Sequence, residues 1–410
     1  MKILIVNATD LKGGAARAAY RLHKGLISQG IDSTMLVQNK SSDDYTVKVA
    51  PGKVSALVSK FRPFIEGLLT NSSRLKGAFS SARIPSGKLI NFINELNPDI
   101  VHLHWINDGM IRIEDLKNIN AKLVWSLHDM WGFTGGCHYS KSCVLYREKC
   151  GNCHFLKDKS EKDQSRSVYN RKLKTYSQLP NLSIIGLSKW MEKEARTSKL
   201  FSGCNITNLP NPINVSTYKK LDKQYCRKVL NLPADKQLVL FGAMGATSDE
   251  RKGFNELFKS LDHVNADDIE LIVFGASEPE VSQSFPFPVR YMGLLNDDWT
   301  MAVLYSAVDV MVVPSLQENL SNTIVESLMC CTPVVGFDIG GNSDMIEHLD
   351  NGYLAKELDI NDLANGISWV LNNGDDLILP SNNKAIDKFS EETVVPKYIK
   401  HYRELIQRED

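Results

Sequence analysis

The sequence predicts an α/β protein made of two doubly wound domains, and the length of the chain, its apolar runs and their order support this. The chain has 410 residues, 43% of them hydrophobic and 23% charged, which suits two soluble domains of roughly 200 residues each better than one core. Short apolar runs bounded by turn residues are typical of buried parallel strands, and helical stretches separate them. This alternation indicates two parallel sheets covered by helices. The runs form two series, at residues 3–6, 100–103, 123–127 and 184–187 and then at 238–241, 271–274, 310–313 and 334–336.

Charge and turn composition predict where the domains meet. Residues 1–210 contain 31 Lys and Arg against 17 Asp and Glu, and residues 211–410 contain 17 against 31, so the halves carry +14 and −14. The segment 208–214, N-L-P-N-P-I-N, lies at this reversal and is rich in turn-forming residues. We therefore predict a first domain over 1–207, a second domain over 208–386 and a helical tail over 387–410.

The basic excess is densest at residues 53–88, where apolar residues interleave with the charges. Glu66 is the only acidic residue in this stretch. A basic amphipathic stretch is suited to an anionic membrane surface, and a solvated pair of helices is the alternative interpretation. Its basic residues are Lys53, Lys60, Arg62, Arg74, Lys76, Arg83 and Lys88.

The lengths of the apolar runs bear on where the protein is located. No run approaches the ~18 apolar residues of a membrane span, and the first apolar run is too short for the core of a signal peptide. We therefore predict a cytoplasmic protein, with attachment to the inner face of the cell membrane as a further hypothesis. In such a compartment cysteines are expected as thiols or metal ligands rather than disulfides.

The first apolar run is followed by the loop N-A-T-D-L-K-G-G, which ends in Gly13 and Gly14 before a predicted helix. Paired glycines at a helix start let backbone N–H groups approach an anion or a sugar closely. A plain tight turn is the alternative. The loop lacks the G-x-G-x-x-G spacing of dinucleotide-binding folds, which disfavours a dehydrogenase.

Residues 313–329, V-P-S-L-Q-E-N-L-S-N-T-I-V-E-S-L-M, predict a strand end, a loop and a helix. Glu318 then lies in the loop, and Glu326 lies about one turn inside the helix. Carboxylates there can accept hydrogen bonds from sugar hydroxyls, while N–H groups at the helix start, with the helix dipole behind them, favour a diphosphate. The N–H groups expected to do this belong to Ser321, Asn322 and Thr323.

This stretch resembles the E-x7-E signature of retaining glycosyltransferase family 4, and the similarity extends over nearly the whole chain. The resemblance implies the GT-B fold, in which two Rossmann-like doubly wound domains face a central cleft and a C-terminal helix returns towards the first domain. In that family the first glutamate contacts the donor sugar and the second binds the nucleotide ribose, and the matching residues here are Glu318 and Glu326. The glycines that usually follow the first glutamate are absent, and Asn319 and Ser321 stand there instead.

The segment 241–253, F-G-A-M-G-A-T-S-D-E-R-K-G, resembles the diphosphate-binding loop of the same family. Lys252 matches the basic residue that neutralises the charge growing on the leaving diphosphate. The family usually has an arginine just after the strand, where this sequence has Ala243 and Met244. We hypothesise that Arg251 takes the place of that arginine, because it is adjacent to Lys252 in the sequence.

Histidines follow two of the runs in the first domain. His128, in the motif H-D-M-W, matches the family histidine that approaches the donor sugar from the acceptor side. His104, in the motif H-L-H-W, is either a histidine of the site or a hydrogen-bonded structural histidine, and the sequence leaves both interpretations open.

Four cysteines lie within a Cys-rich loop at 137–153, which ends in C-G-N-C. A terminal C-x-x-C with two upstream thiols predicts a structural tetrahedral zinc as one interpretation. Buried thiols or a redox pair are the alternatives. The expected ligands would be Cys137, Cys143, Cys150 and Cys153.

The resemblance implies a reaction that retains anomeric configuration and needs no catalytic metal. The donor would be a UDP- or GDP-linked sugar, and the acceptor a glycan or lipid-linked molecule of cell-envelope polysaccharide synthesis. A nucleotide-sugar 2-epimerase on the same fold and a catalytically silent sugar-nucleotide-binding subunit are the alternatives. Nucleic acid is not an expected partner, because the basic stretch contains no recognisable nucleic-acid-binding module.

Overall fold

The computed structural model describes residues 1–50, 53–70, 77–242, 249–265, 268–276 and 285–407. Four residues named above lie outside these ranges: Arg74, Lys76, Ala243 and Met244. The chain divides into two compact units, unit 1 comprising Met1–Asn211 with Val394–Asp410, and unit 2 comprising Pro212–Thr393.

Within its described residues, unit 1 is built on a seven-stranded parallel sheet with the strand order β3-β2-β1-β4-β5-β6-β7. The central strands are buried on both faces because helices cover the sheet on each side, which explains their continuous apolar runs. Its elements in chain order are β1 (Lys2–Thr9), α1 (Gly14–Ser28), β2 (Asp32–Asn39), β3 (Val47–Val49), α2 (Lys53–Leu69), α3 (Gly87–Glu95), β4 (Ile100–Leu103), β5 (Lys122–Leu127), α4 (Gln164–Tyr176), β6 (Ser183–Gly186), α5 (Lys189–Thr197) and β7 (Asn205–Asn208).

Unit 2 has, in the part of the chain that the structure describes, a six-stranded parallel sheet with the order β10-β9-β8-β11-β12-β13. Its core lies between this sheet and helices packed on both sides of it. The elements are α6 (Lys223–Val229), β8 (Gln237–Gly242), α7 (Phe254–Leu261), β9 (Ile269–Phe274), β10 (Val289–Tyr291), α8 (Asp298–Ala307), β11 (Val310–Val313), α9 (Asn322–Met329), β12 (Val334–Phe337), β13 (Gly352–Ala355) and α10 (Ile360–Phe389).

The last helix, α11 (Glu391–Gln407), is joined to unit 1 from Val394 onwards. Its Tyr402 hydroxyl lies 2.7 Å from Nδ1 of His102 on β4, and its His401 Nε2 lies 3.0 Å from the Ser183 hydroxyl on β6. These contacts anchor the end of the chain to the first sheet. The predicted return of a C-terminal helix to the first domain is therefore confirmed.

The predicted fold class, two doubly wound α/β domains, is also confirmed. All eight predicted apolar runs fall on strands, because each is buried between two helical layers. The sequence did not predict β2, β3, β7, β10 and β13, which lie towards the edges of the two sheets and have short or polar sequences. Among the described helices, none combines the length and apolar composition that crossing a bilayer requires.

Each sheet reverses its strand order at one point, between β1 and β4 in unit 1 and between β8 and β11 in unit 2. Open parallel sheets bind ligands beyond the carboxyl ends of the strands at such switch points. Functional side chains are therefore expected in the loops that follow these four strands.

Candidate active site

The switch point of unit 2 brings together the two segments that the sequence singled out. Lys252 follows β8 and Glu318 follows β11, and β8 and β11 are hydrogen-bonded neighbours in the sheet. The Lys252 ammonium lies 2.9 Å from Oε2 of Glu318. The structure therefore joins two predicted site residues that lie 66 positions apart in the sequence.

The Glu318 carboxylate is buried and has several hydrogen-bonding and charged neighbours. Arg251 Nη1 lies 3.8 Å from Oε2, the Ser315 hydroxyl donates to the same oxygen at 3.3 Å, and the Asn319 backbone N–H donates to Oε1 at 3.2 Å. Burial alone would raise the pKa of Glu318, but the charges of Lys252 and Arg251 outweigh it and lower that pKa to about 2. Glu318 is thus an ionised hydrogen-bond acceptor at neutral pH.

Backbone geometry explains why a glycine follows Lys252. Gly253 has φ +74°, in the left-handed region, and a side chain there would clash with the carbonyl oxygen of Pro314 at the end of β11. The Leu316 N–H donates to the Arg251 carbonyl at 2.8 Å. The two loops are therefore packed backbone against backbone, which fixes the position of Lys252.

A third loop, after β12, also contacts Glu318 and was missed in the sequence. Gly340 has φ +54°, and a side chain there would clash with the Glu318 carbonyl oxygen. The Gly341 N–H donates to that same oxygen at 3.1 Å. Paired glycines shortly after an apolar run are the signal that the sequence offers for this loop, as they are at Gly13 and Gly14.

The helix α9 begins at Asn322, which confirms the predicted helix start and places Glu326 inside the helix. Ser321 is its N-cap residue, but the Ser321 hydroxyl makes no capping bond and instead lies 2.8 Å from the Thr323 hydroxyl. Glu326 is buried, and the hydroxyl of Tyr305 on α8 donates to its Oε2 at 3.0 Å.

Tyr305 is a second residue that the sequence did not reveal. It is fully buried, and burial together with the neighbouring Glu326 charge raises the pKa of Tyr305 well above its usual value. It therefore remains a neutral hydrogen-bond donor that orients the Glu326 carboxylate. A tyrosine in the middle of an apolar helix carries no local signal for this role.

In unit 1, three loops meet at the carboxyl ends of the adjacent strands β1, β4 and β5. Gly13 precedes α1 with φ +97°, which explains the glycine, and Gly14 is the first residue of the helix. His104 and His128 follow β4 and β5, and His104 Nδ1 lies 2.8 Å from His128 Nε2. His104 Nε2 is buried and has no hydrogen-bond partner among the described residues.

The two histidines are held neutral. Burial lowers the pKa of His128 to about 4, and burial also lowers the pKa of His104 well below its usual value. In their shared hydrogen bond one ring nitrogen donates and the other accepts. At neutral pH His128 is therefore suited to hydrogen bonding and not to the role of a cation.

The loop that carries His128 is fixed by its neighbour Asp129. The Asp129 carboxylate accepts from the Trp105 indole N–H at 3.0 Å and lies 2.7 Å from Nδ1 of His138, whose Nε2 lies 2.9 Å from the Ser80 hydroxyl. Burial alone would raise the pKa of Asp129, but His138 and these hydrogen bonds lower it. The aspartate of H-D-M-W is a positioning residue.

The four cysteines of the predicted zinc site are thiols that line one small cavity of unit 1. Burial raises the pKa of Cys150 to about 12 and raises that of Cys137 further, so both are neutral in this arrangement. Within the described ranges, no three His, Cys, Asp or Glu side chains are grouped so that they could hold an ion as they stand. Cys143 and Cys153 line the same cavity, and the zinc prediction stays a prediction.

The chain matches two family models. Residues 12–217 match the family described as Glycosyltransferase Family 4, and residues 235–373 match the one described as Glycosyl transferases group 1. Together these matches include every residue of the candidate site.

Relatives and a solved structure agree with these matches. The chain is 22% identical over 399 residues to an uncharacterized glycosyltransferase of Methanocaldococcus jannaschii, covering 87% of this chain and 96% of that protein. It is 28% identical over 170 residues to a putative colanic acid biosynthesis glycosyl transferase of Escherichia coli, covering 38% of this chain and 40% of that one. Its fold matches that of Anabaena Alr3699/HepE in complex with UDP and glucose, with a TM-score of 0.65, 16% identity and coverage of 98% and 100%.

Proposed function

This chain belongs to glycosyltransferase family 4, and we propose that it transfers a sugar from a UDP- or GDP-linked donor, with retention of anomeric configuration. The chain is a glycosyltransferase of the GT-B type. The observation that carries the donor proposal is the buried Glu318–Lys252 ion pair, with Arg251 beside it, at the switch point of unit 2. Anabaena Alr3699/HepE, whose solved structure has a similar fold, is in complex with UDP and glucose, which supports this class of donor.

Lys252 and Arg251 suit the departing diphosphate. An ammonium group has three donor protons, of which the Glu318 carboxylate takes one. The others can bind phosphate oxygens, whose charge grows as the bond to the sugar breaks, so that the stabilisation is larger in the transition state than in the ground state. Glu318 thus keeps Lys252 in place and offers its own oxygens to the sugar hydroxyls.

Glu326 suits the ribose of the donor. A buried carboxylate that accepts hydrogen bonds from ribose hydroxyls contributes more than the same contact in water. Tyr305 fixes the orientation of the carboxylate through its hydrogen bond to Oε2. Ser321, Asn322 and Thr323 stand at the N-terminal end of α9, where the positive end of the helix dipole would favour a diphosphate.

The reaction that we propose breaks the bond between the anomeric carbon and the diphosphate oxygen, and forms a bond from the acceptor oxygen on the same face of the sugar. The acceptor proton passes to the departing diphosphate oxygen. His128, neutral at pH 7, orients a sugar or acceptor hydroxyl. The partial match to a putative colanic acid enzyme supports an envelope polysaccharide or its lipid-linked precursor as the acceptor.

Calorimetric titration with UDP, GDP, ADP and their glucose conjugates tests the donor proposal directly. Glu326→Gln should weaken binding of the preferred nucleotide sugar about 10- to 100-fold, because a charge-assisted hydrogen bond is worth roughly 1.5–3 kcal/mol. The matched control is Glu256→Gln on α7, which should bind like the wild type. Absence of binding to every nucleotide, or unchanged affinity in Glu326→Gln, would contradict the assignment.

Turnover separates the remaining interpretations. A transferase releases the nucleoside diphosphate faster when an acceptor is present, whereas an epimerase converts the donor without one and a silent subunit does neither. The anomeric configuration of the isolated product, measured by NMR coupling constants, tests retention. An inverted product would contradict the retaining mechanism but leave the donor proposal standing.

A further inference from the structure

The helix α2 in unit 1 turns polar side chains towards the body of the unit. Arg62 donates from Nε to the Gly109 carbonyl at 2.6 Å and from Nη2 to the Pro85 carbonyl at 2.9 Å. Glu66, one turn further on, is buried, and its Oε1 accepts from the Ser81 hydroxyl at 2.9 Å. The inward face of α2 is therefore held by hydrogen bonds.

The opposite face of α2 is apolar and exposed. Phe61, Phe64, Ile65 and Leu68 follow the spacing of one helix face, with exposed fractions of 55%, 66%, 40% and 59%, and Leu69 beside them is 43% exposed. Amphipathic helices of water-soluble proteins place such residues in the core. A contiguous exposed apolar face marks an interaction surface. We call these five residues the α2 apolar face.

Arg62 does not contribute to this surface as the sequence suggested. It lies on the inward side and holds the backbone at Gly109 and Pro85. Reversing its charge would therefore test the packing of α2 and not the surface. This corrects the expectation that Arg62 is a surface cation.

The stretch of sequence that carries the α2 apolar face is strongly basic. Within 53–88 the sequence has seven basic residues and a single acid, Glu66. That acid is buried and hydrogen-bonded, so no carboxylate of this stretch faces outwards. Arg83 and Lys88 are exposed. An anionic partner is favoured over a neutral or a cationic one.

We propose that the α2 apolar face docks unit 1 on a bilayer that contains anionic phospholipid. The face offers two phenylalanines and three aliphatic side chains, none of which can hydrogen-bond a polar partner, and basic residues flank it along the chain. This is the composition of a helix that lies in the interface plane, with its apolar side among the acyl chains and its cations at the headgroups. The proposal does not depend on which donor the enzyme uses.

Sedimentation with phosphatidylcholine vesicles, prepared with and without phosphatidylglycerol, tests the proposal on the full chain. We expect the pelleted fraction to rise with phosphatidylglycerol and to fall with added salt. Phe64→Ser/Leu68→Ser should lower the partition coefficient about tenfold or more. The matched control is Tyr225→Ser/Val229→Ser on α6, an i, i+4 pair with exposed fractions of 67% and 57%, and it should sediment like the wild type.

Both double variants should fold, because all four side chains are exposed. Circular dichroism melting verifies this. Equal sedimentation with neutral and anionic vesicles would overturn the proposal. An equal loss of vesicle binding in the two double variants would overturn it as well. A different outcome would be a dimeric wild type that Phe64→Ser/Leu68→Ser converts to a monomer, with no vesicle binding by either protein. In that case a second copy of the chain covers the α2 apolar face, and the proposal is wrong.

Discussion

Replacing Lys252 by methionine removes the nearest cation from the buried Glu318 carboxylate and keeps a side chain of similar length. Arg251 then remains as the nearest positive charge, at 3.8 Å instead of 2.9 Å. A buried charge that loses its partner destabilises the folded state, because the carboxylate has already given up its water. We therefore expect Lys252→Met to destabilise unit 2 even without any ligand.

The pKa of Glu318 sets the size of this effect. It falls from 4.5 to about 2 on folding, which corresponds to about 3 kcal/mol in favour of the ionised folded state at neutral pH. Lys252 is the larger of the two cationic causes. We expect Lys252→Met to lower the free energy of unfolding of unit 2 by roughly 1.5–3 kcal/mol.

The dependence on pH has a definite sign. Because the pKa of Glu318 is lower in the folded state, the stabilisation is present above pH 4.5 and is lost as the pH falls towards about 2. The difference between the wild type and Lys252→Met should therefore be constant from about pH 7 to about pH 5 and shrink below that.

Urea unfolding followed by hydrogen exchange measures this difference in peptides that cover β11 and α9. Lys259→Met, at an exposed position of α7, is the matched control and should leave the free energy of unfolding unchanged. If Lys252→Met and Lys259→Met unfold alike at neutral pH, the ion pair does not stabilise unit 2. A difference that grows in acid would refute the sign of the argument.

Three further predictions concern other parts of the molecule. Tyr305→Phe should weaken donor binding about fivefold because Glu326 loses its orienting donor, and unchanged affinity by calorimetry would contradict that role. The free energy of unfolding of unit 1 should fall as the pH falls from 6.5 to about 4, because the folded protein disfavours protonation of His128. His128→Gln should make this dependence on pH less steep, and an unchanged dependence would exclude His128 as a cause. The zinc prediction expects about one metal per chain in protein purified without added zinc, lost in Cys150→Ser/Cys153→Ser; no zinc by elemental analysis, with thiols that titrate in native protein, would count against it.

Local signals were sufficient to place the two glutamates on their elements. A run of buried residues ends at Val313, turn-forming residues follow, and α9 begins at Asn322. Because strand ends and helix starts depend on neighbouring residues, the spacing of Glu318 and Glu326 predicted one acid in the loop and one in the helix. The same reasoning placed Gly13 at the start of α1.

The partners of these residues depend on strand order, which local sequence does not encode. Tyr305 contacts Glu326 from the preceding helix, and Gly340 contacts Glu318 from the loop that follows β12. His102 meets Tyr402 across 300 residues. Such contacts arise only when the chain folds and packs helices, strands and loops that are separate in the sequence against one another.

The direction in which α2 faces was likewise decided by packing. Its periodicity indicated a helix with an apolar and a polar side, but periodicity is the same whichever side turns inwards. The tertiary structure buries Glu66 because the backbone at Ser81 and Ala82 supplies N–H donors for its carboxylate. Phe64 and Leu68, on the other side of the helix, are left exposed, because the inward side is already occupied by hydrogen-bonded polar groups.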